Sequence, residues 1–374
     1  MRGFRKLTAA LLLAALAVSG CSSKEKEETA EATPTPEIQA EETATPTPTS
    51  TPEPTEEPEP LVPDVPEGMV TSYLTGEYVP EEIGRRRPAA IMINNIEASL
   101  PQWGISHAGI IYEAPVEGGI TRMMAIFEDY DSLERIGSVR SCRDYFINYA
   151  MGYEAIYVHY GQSVYAEPYL AMDEVNNLSG LSGYGDQIFY RTTDRKPPHN
   201  AYISGAGIQE GIGICGYSQE YSEGYQGNFR FACSDVPVIL ENGSTALRVE
   251  PGGYNYNNAY FLYDPDTGLY YRYQFDGPQI DEEDGSQLAV KNIIIQYSSW
   301  ENYDSNGYLN IHPDQPGTGK YITNGRAIDI TWSRDSAWEA DHYYDSEGNE
   351  ITLNPGKTWI LIVLDSYADQ TVIE

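Results

Sequence analysis

Gly137-Ser-Val-Arg-Ser-Cys-Arg-Asp-Tyr-Phe-Ile-Asn-Tyr-Ala150 is followed, four residues later, by Ala155-Ile-Tyr-Val-His-Tyr-Gly161. In the first segment Phe146, Tyr149 and Ala150 recur at helical spacing, and Ser141 is placed to cap the helix start with its hydroxyl. The second segment is a short apolar run of strand type. Upstream, Thr121-Arg-Met-Met-Ala-Ile-Phe-Glu128 reads as another strand. Strand, helix and strand in succession signal a parallel or mixed sheet with helices packed on it. Pro88–Asn95 and Ala108–Ala114 add two more strands, the second joined to Thr121 through a Gly118-Gly119 turn that tolerates positive φ. Val164–Met172 reads as a further helix. Residues 80–232 are therefore expected to form an α/β domain, a mixed sheet with packed helices, its folded part starting near Arg85.

From residue 233 the pattern changes. Tyr260–Tyr263 and Leu269–Tyr273 flank an Asp264-Pro-Asp-Thr-Gly268 turn, and Tyr321–Thr323 and Arg326–Trp332 flank Asn324-Gly325. Both read as β-hairpins. Lys291–Gln296 and Thr358–Leu364 are further apolar strands, so residues 233–374 are expected to form a smaller, mainly-β domain.

The chain starts with a different chemistry. Arg2, Arg5 and Lys6 precede an uncharged Leu/Ala run to Val18, and Val18-Ser-Gly-Cys21 has the form of a bacterial lipobox. That layout is a secretory signal, and its apolar run is shorter than the roughly 20 residues a membrane span needs. Residues 1–21 are thus expected to be a lipoprotein signal peptide, with lipidation at Cys21 and attachment to the outer face of a cell membrane. Residues 22–79 are rich in Thr, Pro and Glu, with few large apolar side chains before Leu61. Such a composition cannot bury enough surface to offset ordering, and reads as a disordered acidic stalk.

The net charge of −33 falls mostly on residues 68–374. A surface of that sign repels nucleic acid. Once Cys21 is used, Cys142, Cys215 and Cys233 remain, and Cys215 with Cys233 could close a loop in an oxidising compartment. The five histidines lack the spacing of a metal site, and no cofactor fingerprint is present.

Three constellations could carry chemistry. Glu113 and Glu117 stand with Arg122 around the glycine turn, as an acid–base pair or as a turn closed by an ion pair. Arg140 and Arg143 share one face at the expected helix start, where dipole and guanidinium groups favour an anion. There Cys142 reads as a small packing residue more than as a nucleophile. Arg195-Lys-Pro-Pro-His-Asn200 holds His199 and Asn200 behind two stiff prolines, with Lys196 beside them. His159 at a strand end reads as a core histidine.

Pro101–Glu113, Val116–Arg122, Ile136–Arg143, Lys196–Asn200 and Leu353–Ile360 together resemble the YerB-like lipoproteins of Gram-positive bacteria, from about residue 80 to the C-terminus. The resemblance implies two successive domains without an assigned activity, and a Gram-positive envelope setting. Cys142 stands where the family pattern leads one to expect Ala, which argues further against a nucleophile. The expectation is a non-enzymatic envelope lipoprotein that binds an anionic ligand, a cell-wall component or an envelope protein through Arg122, Arg140, Arg143, Lys196, His199 and Asn200. The rival expectation is an envelope hydrolase or transferase using Glu113 or Glu117 with His199.

Overall fold

In the strand Ala89–Asn94, Ile91 and Ile93 join one hydrophobic cluster, Ala90 and Met92 a second, and all four are fully buried. A strand covered on both faces needs layers on both sides. The computed structural model, which describes residues 65–374, provides them around a mixed sheet of eleven strands. In chain order these are β1 (Ala89–Asn94), β2 (Ile110–Pro115), β3 (Thr121–Phe127), β4 (Ile156–His159), β5 (Asn177–Ser179), β6 (Ser244–Thr245), β7 (Asn292–Ser298), β8 (Gly317–Thr323), β9 (Arg326–Ser333), β10 (His342–Tyr344) and β11 (Thr358–Leu364). Their order across the sheet is β6-β9-β8-β7-β11-β2-β3-β1-β4-β5, with β10 also paired to β9.

The sheet does not stop at the division between residues 232 and 233. β11 pairs in parallel with β7 on one side and with β2 on the other, so Ile360 stands between Ile294 and Tyr112. One face, carrying Ile91, Met123, Ile293 and Trp359, is covered by Ile208 and Ile212 of helix α2 (Gly205–Cys215) and by Val249, Phe261 and Tyr270. Those last three belong to a six-stranded sheet built on Arg248–Glu250, Tyr260–Asp264 and Leu269–Gln274. The opposite face, with Met92, Tyr112, Met124 and Ile360, receives Phe146, Tyr149 and Ala150 of helix α1 (Asp144–Met151).

The strands and both hairpins sit where the apolar patterns place them. Tyr260 pairs with Tyr273, and Thr323 with Arg326 across Asn324 (φ 50°) and Gly325 (φ 73°), both in the left-handed region of a tight hairpin turn.

The helices differ from expectation. α1 begins at Asp144 with Arg143 in the cap position, and the Ser141 hydroxyl donates instead to the Tyr160 carbonyl, 3.3 Å away. Val164–Met172 contracts to the single turn Glu167–Leu170. Between residues 164 and 200, Pro168, Gly180, Gly183, Gly185, Pro197 and Pro198 interrupt any longer run. The mixed sheet therefore has few packed helices, and much of the cover on one face is itself β-structure. Ordered chain also starts before Arg85: Met69–Thr71, inside the stretch expected to be stalk, and Tyr78–Pro80, at its end, pair as a hairpin around the fully buried Leu74. Cys142, Cys215 and Cys233 are free thiols, so no bridge joins the last two. The signal, Cys21 and residues 22–64 lie outside the described residues. Among the described residues, no helix is long and apolar enough to cross a membrane.

Candidate functional site

Glu113 lies on β2 with its side chain fully buried. Its Oε1 accepts from Asn95 Nδ2 (3.0 Å), Thr121 Oγ1 (2.7 Å) and Asn257 Nδ2 (3.2 Å). Its Oε2 accepts from an Arg272 guanidinium nitrogen (2.7 Å) and from Trp359 Nε1 (3.2 Å). Five donors saturate the carboxylate, and the fully buried Arg272 belongs to the six-stranded sheet. The pair pins one sheet to the other. Glu117, at the turn after β2, receives Arg143 Nε at 2.8 Å and a second guanidinium nitrogen in a bidentate ion pair. Each of the two expected acids thus pairs with an arginine, and neither is hydrogen-bonded to His199 among the described residues.

A second group forms at the strand ends. Asn94 closes β1 and is register partner to Arg122, the second residue of β3. The segment 138–141 runs beside them, with the Arg140 N–H donating to the Met92 carbonyl (2.9 Å) and the Tyr160 N–H donating to the Arg140 carbonyl (3.0 Å). Asn94 Nδ2 lies 2.9 Å from His199 Nδ1. The amide nitrogen can only donate, so Nδ1 accepts, and the neutral ring carries its proton on Nε2. Arg191, at the end of Phe189–Arg191, stacks its guanidinium over Tyr160 (4.7 Å) and donates to Asn200 Oδ1 (2.8 Å). Asn200 in turn donates from Nδ2 to the Thr192 carbonyl (2.8 Å).

The electrostatics of this group have one sign. Arg122 is only 4 % exposed, and its one protein acceptor is the Ser141 carbonyl at 2.7 Å. Burial lowers its pKa, and the groups that oppose the shift are Tyr145, Tyr157 and Cys142, not a carboxylate. Burial also lowers Arg140, and Arg122 and Arg191 push it further the same way. His199 is held below the ordinary imidazole value by burial and then by Arg140. Among the described residues, Arg122, Arg140 and Arg191 make no ion pair. In a chain with 56 acidic and 23 basic side chains, Arg140 is repelled by both Arg122 and Arg191, and the buried Arg122 has no carboxylate partner among the described residues, while Arg191 at the edge of the group is exposed to solvent. Three guanidinium groups and one imidazole N–H supply only donors, the complement of an oxyanion.

Of the six residues expected at one positive site, Arg122, Arg140 and His199 come together. Arg143 is neutralised by Glu117, Lys196 is exposed on the loop, and Asn200 is buried as the brace of Arg191. Arg191 itself was not anticipated. Its only signal is the register that sets it against Ala201, next to the Pro-Pro-His-Asn turn. His159 is a core histidine: Nδ1 lies 2.8 Å from the Gly161 carbonyl, and burial lowers its pKa, which favours the neutral ring. Cys142 is fully buried and burial drives its thiol far above its ordinary value, the opposite of the shift that activates a thiolate. Among the described residues, no grouping of His, Cys, Asp and Glu could hold a metal ion.

Comparison with known proteins gives two successive matches to one family of unknown function, DUF3048: its N-terminal domain over residues 74–218 and its C-terminal domain over residues 249–360. The chain is 32 % identical over 293 residues to a Bacillus subtilis (strain 168) protein named "Putative lipoprotein YerB", covering 78 % of this chain and 86 % of that one. The crystal structure of YerB protein from Bacillus subtilis superposes with a TM-score of 0.72 at 29 % identity, over 82 % of this chain and 99 % of that chain.

Proposed function

This chain belongs to the two-domain DUF3048 family, whose relatives include YerB, and from that premise we propose that it is a lipoprotein of the cell envelope that binds an oxyanion, phosphate or carboxylate, at the cluster of Arg122, Arg140, Arg191 and His199. The lipoprotein part rests on the lipobox-like Val18-Ser-Gly-Cys21 and on the name of the relative. Lipidation of Cys21 would hold the described residues at the outer membrane face, with the acidic stretch after it as spacer. The partner is then an anionic component of the wall or an anionic segment of another envelope protein.

The observation that carries the binding reading is a set of three arginines, one of them buried, with no ion pair among the described residues of a strongly acidic chain. A bound anion would supply the charge that the protein does not. Arg122, braced by the Ser141 carbonyl, and Arg191, braced by Asn200 and Tyr160, would give fixed donors, and Arg140 and His199 would close the site.

The test is thermal unfolding in sodium sulfate against sodium chloride at equal ionic strength. Sulfate should raise the midpoint of the native chain beyond the general stabilisation that an excluded anion gives any fold, and Arg140→Gln or Arg191→Gln should abolish that excess increment. Lys196→Gln should leave it intact. An increment that is absent from the native chain, or that survives both arginine substitutions, refutes the site.

A further inference from the structure

Arg191 ends the three-residue strand Phe189–Arg191, an outer strand of the small sheet that Ile136–Gly137, Ala201–Ile203 and Phe189–Arg191 form in that order. Two hydrogen bonds fix which way its backbone points. The Thr192 N–H donates to the Asn200 carbonyl (3.0 Å), so residues 192 and 200 are a hydrogen-bonded pair. Such pairs alternate with non-bonded ones along an antiparallel ladder, and Arg191 with Ala201 is the next pair. The Ala201 carbonyl agrees, since it turns the other way and accepts from the Val139 N–H at 2.8 Å. The N–H and C=O of Arg191 therefore point out of the sheet edge. Among the described residues, no strand lies beyond that edge and no group bonds to either. Tyr190 and Arg191 are both exposed there, whereas the Phe189 N–H is already taken by the Gly185 carbonyl.

An open edge is a template for another strand. Here the register also says what that strand must carry. In an antiparallel addition, the residue paired with Arg191 exchanges both hydrogen bonds with it, and the two side chains share one face with Cβ atoms about 5 Å apart. On that face the Arg191 guanidinium lies over Tyr160 (4.7 Å) and repels Arg140, which in turn acts on His199. A carboxylate on the paired residue meets the donors of the arginine cluster. The residues before and after it point to the opposite face. There Tyr190 is 39 % exposed and stacks on Tyr202 with ring centroids 6.2 Å apart, and it offers them apolar surface.

We propose that the partner of the arginine cluster is an extended segment of another protein that adds antiparallel to Phe189–Arg191, with an acidic residue opposite Arg191 and an apolar residue on each side of it. The proposal rests on the oxyanion reading of the cluster and goes beyond it. A free phosphate or an anionic wall polymer would use the guanidinium groups and leave the Arg191 backbone unpaired. Backbone pairing sets the register, and the charge selects the residue.

The test uses the full chain and the peptide acetyl-Ser-Val-Glu-Val-Ser-amide, followed by calorimetry and by backbone amide exchange. The peptide should bind saturably at one per chain, and exchange of the Arg191 amide should slow in the complex. Replacing its Glu by Gln should weaken binding by about tenfold or more, the scale of a lost hydrogen bond to a charged group. Methylating the amide nitrogen of that Glu keeps the charge but removes the donor to the Arg191 carbonyl, and should weaken binding by about the same factor. Tyr190→Ser should weaken the peptide severalfold, with circular dichroism and the excess sulfate increment unchanged. The two readings fail separately. Undiminished binding of the methylated peptide, an unslowed Arg191 amide in the saturated complex, or a sulfate increment without any peptide binding overturns the strand addition and leaves the oxyanion site standing. An absent sulfate increment removes the oxyanion site, and this proposal with it.

Discussion

Single residues set both polar centres of this protein, and each centre has its own prediction. Arg272 and Glu113 are both fully buried, so neither can turn to water if the other is lost. Arg272→Met leaves the Glu113 carboxylate with four neutral donors and no counter-charge. It should destabilise the chain by about 3–5 kcal/mol, as for other broken buried pairs. Glu113→Leu combined with Arg272→Met should cost less than either single substitution, because no lone charge remains. Urea unfolding of the three variants decides this, and a near-neutral Arg272→Met would show that the pair is not structural. His199 belongs to the other centre. Burial and Arg140 hold its pKa below the ordinary value in the free protein, so its stabilising contribution is present above the ordinary imidazole range and declines as pH falls through the lowered one. A bound anion reverses the balance by favouring the imidazolium. Sulfate, which stays dianionic throughout, should therefore bind more tightly at pH 5.5 than at pH 7.5, and His199→Asn should flatten that dependence. A pH-independent affinity in the native chain would remove His199 from the site.

At the scale of elements, helix α2 gives a paired test of what local preference and tertiary contact each contribute. Gly213 is exposed with open space where a Cβ would stand, and Gly213→Ala should stabilise by up to about 1 kcal/mol through helix propensity alone. Gly205 offers the same gain in the same helix, but a Cβ there would stand 1.9 Å from the Tyr130 carbonyl oxygen. Gly205→Ala should destabilise instead, and thermal unfolding separates the two signs. The contrast explains how much was legible beforehand. Strands such as Ala89–Asn94 and Thr358–Leu364 announce themselves because burial on both faces demands continuous apolar runs, and the Asn324-Gly325 turn because its backbone needs positive φ. The start of α1 did not, because Ser141 had a competing acceptor in Tyr160, reached only through the fold. The arginine cluster was half visible. Arg122, Arg140 and His199 stand in unusual local sequence, whereas Arg191 joins them through strand pairing, and Arg143 leaves them because Glu117 lies 26 residues away in sequence and adjacent in space.

At the scale of the whole molecule, the two family domains share one sheet, and this has a consequence for folding. β2 comes from the first and β11 from the second, and their backbones pair in parallel over Ile110–Glu113 and Thr358–Leu361. The Glu113–Arg272 pair ties the same two stretches of chain, with Asn95 and Thr121 donating from one side and Asn257 and Trp359 from the other. Cutting the chain at residue 232 would expose β2 on one piece and β11 on the other as unpaired edges, each flanked by apolar faces and one carrying half of a buried ion pair. An edge of that kind recruits other strands or unfolds. Residues 65–232 and 233–374 expressed separately should therefore aggregate or lack fixed tertiary structure, while co-expression should restore a native-like complex. The intact chain should unfold in one calorimetric transition, with van't Hoff and calorimetric enthalpies in agreement. Two resolved transitions, or a native near-ultraviolet spectrum from either piece alone, would show that the shared sheet is a contact between independent folding units and not a common core. The prediction bears on binding too. Arg122 lies on β3, the neighbour of β2, so the arginine cluster stands beside that shared core. Were the halves separable, the arginine cluster could survive in the first piece alone. With a common sheet it should be lost on cleavage, and the sulfate increment measured on residues 65–232 decides between the two.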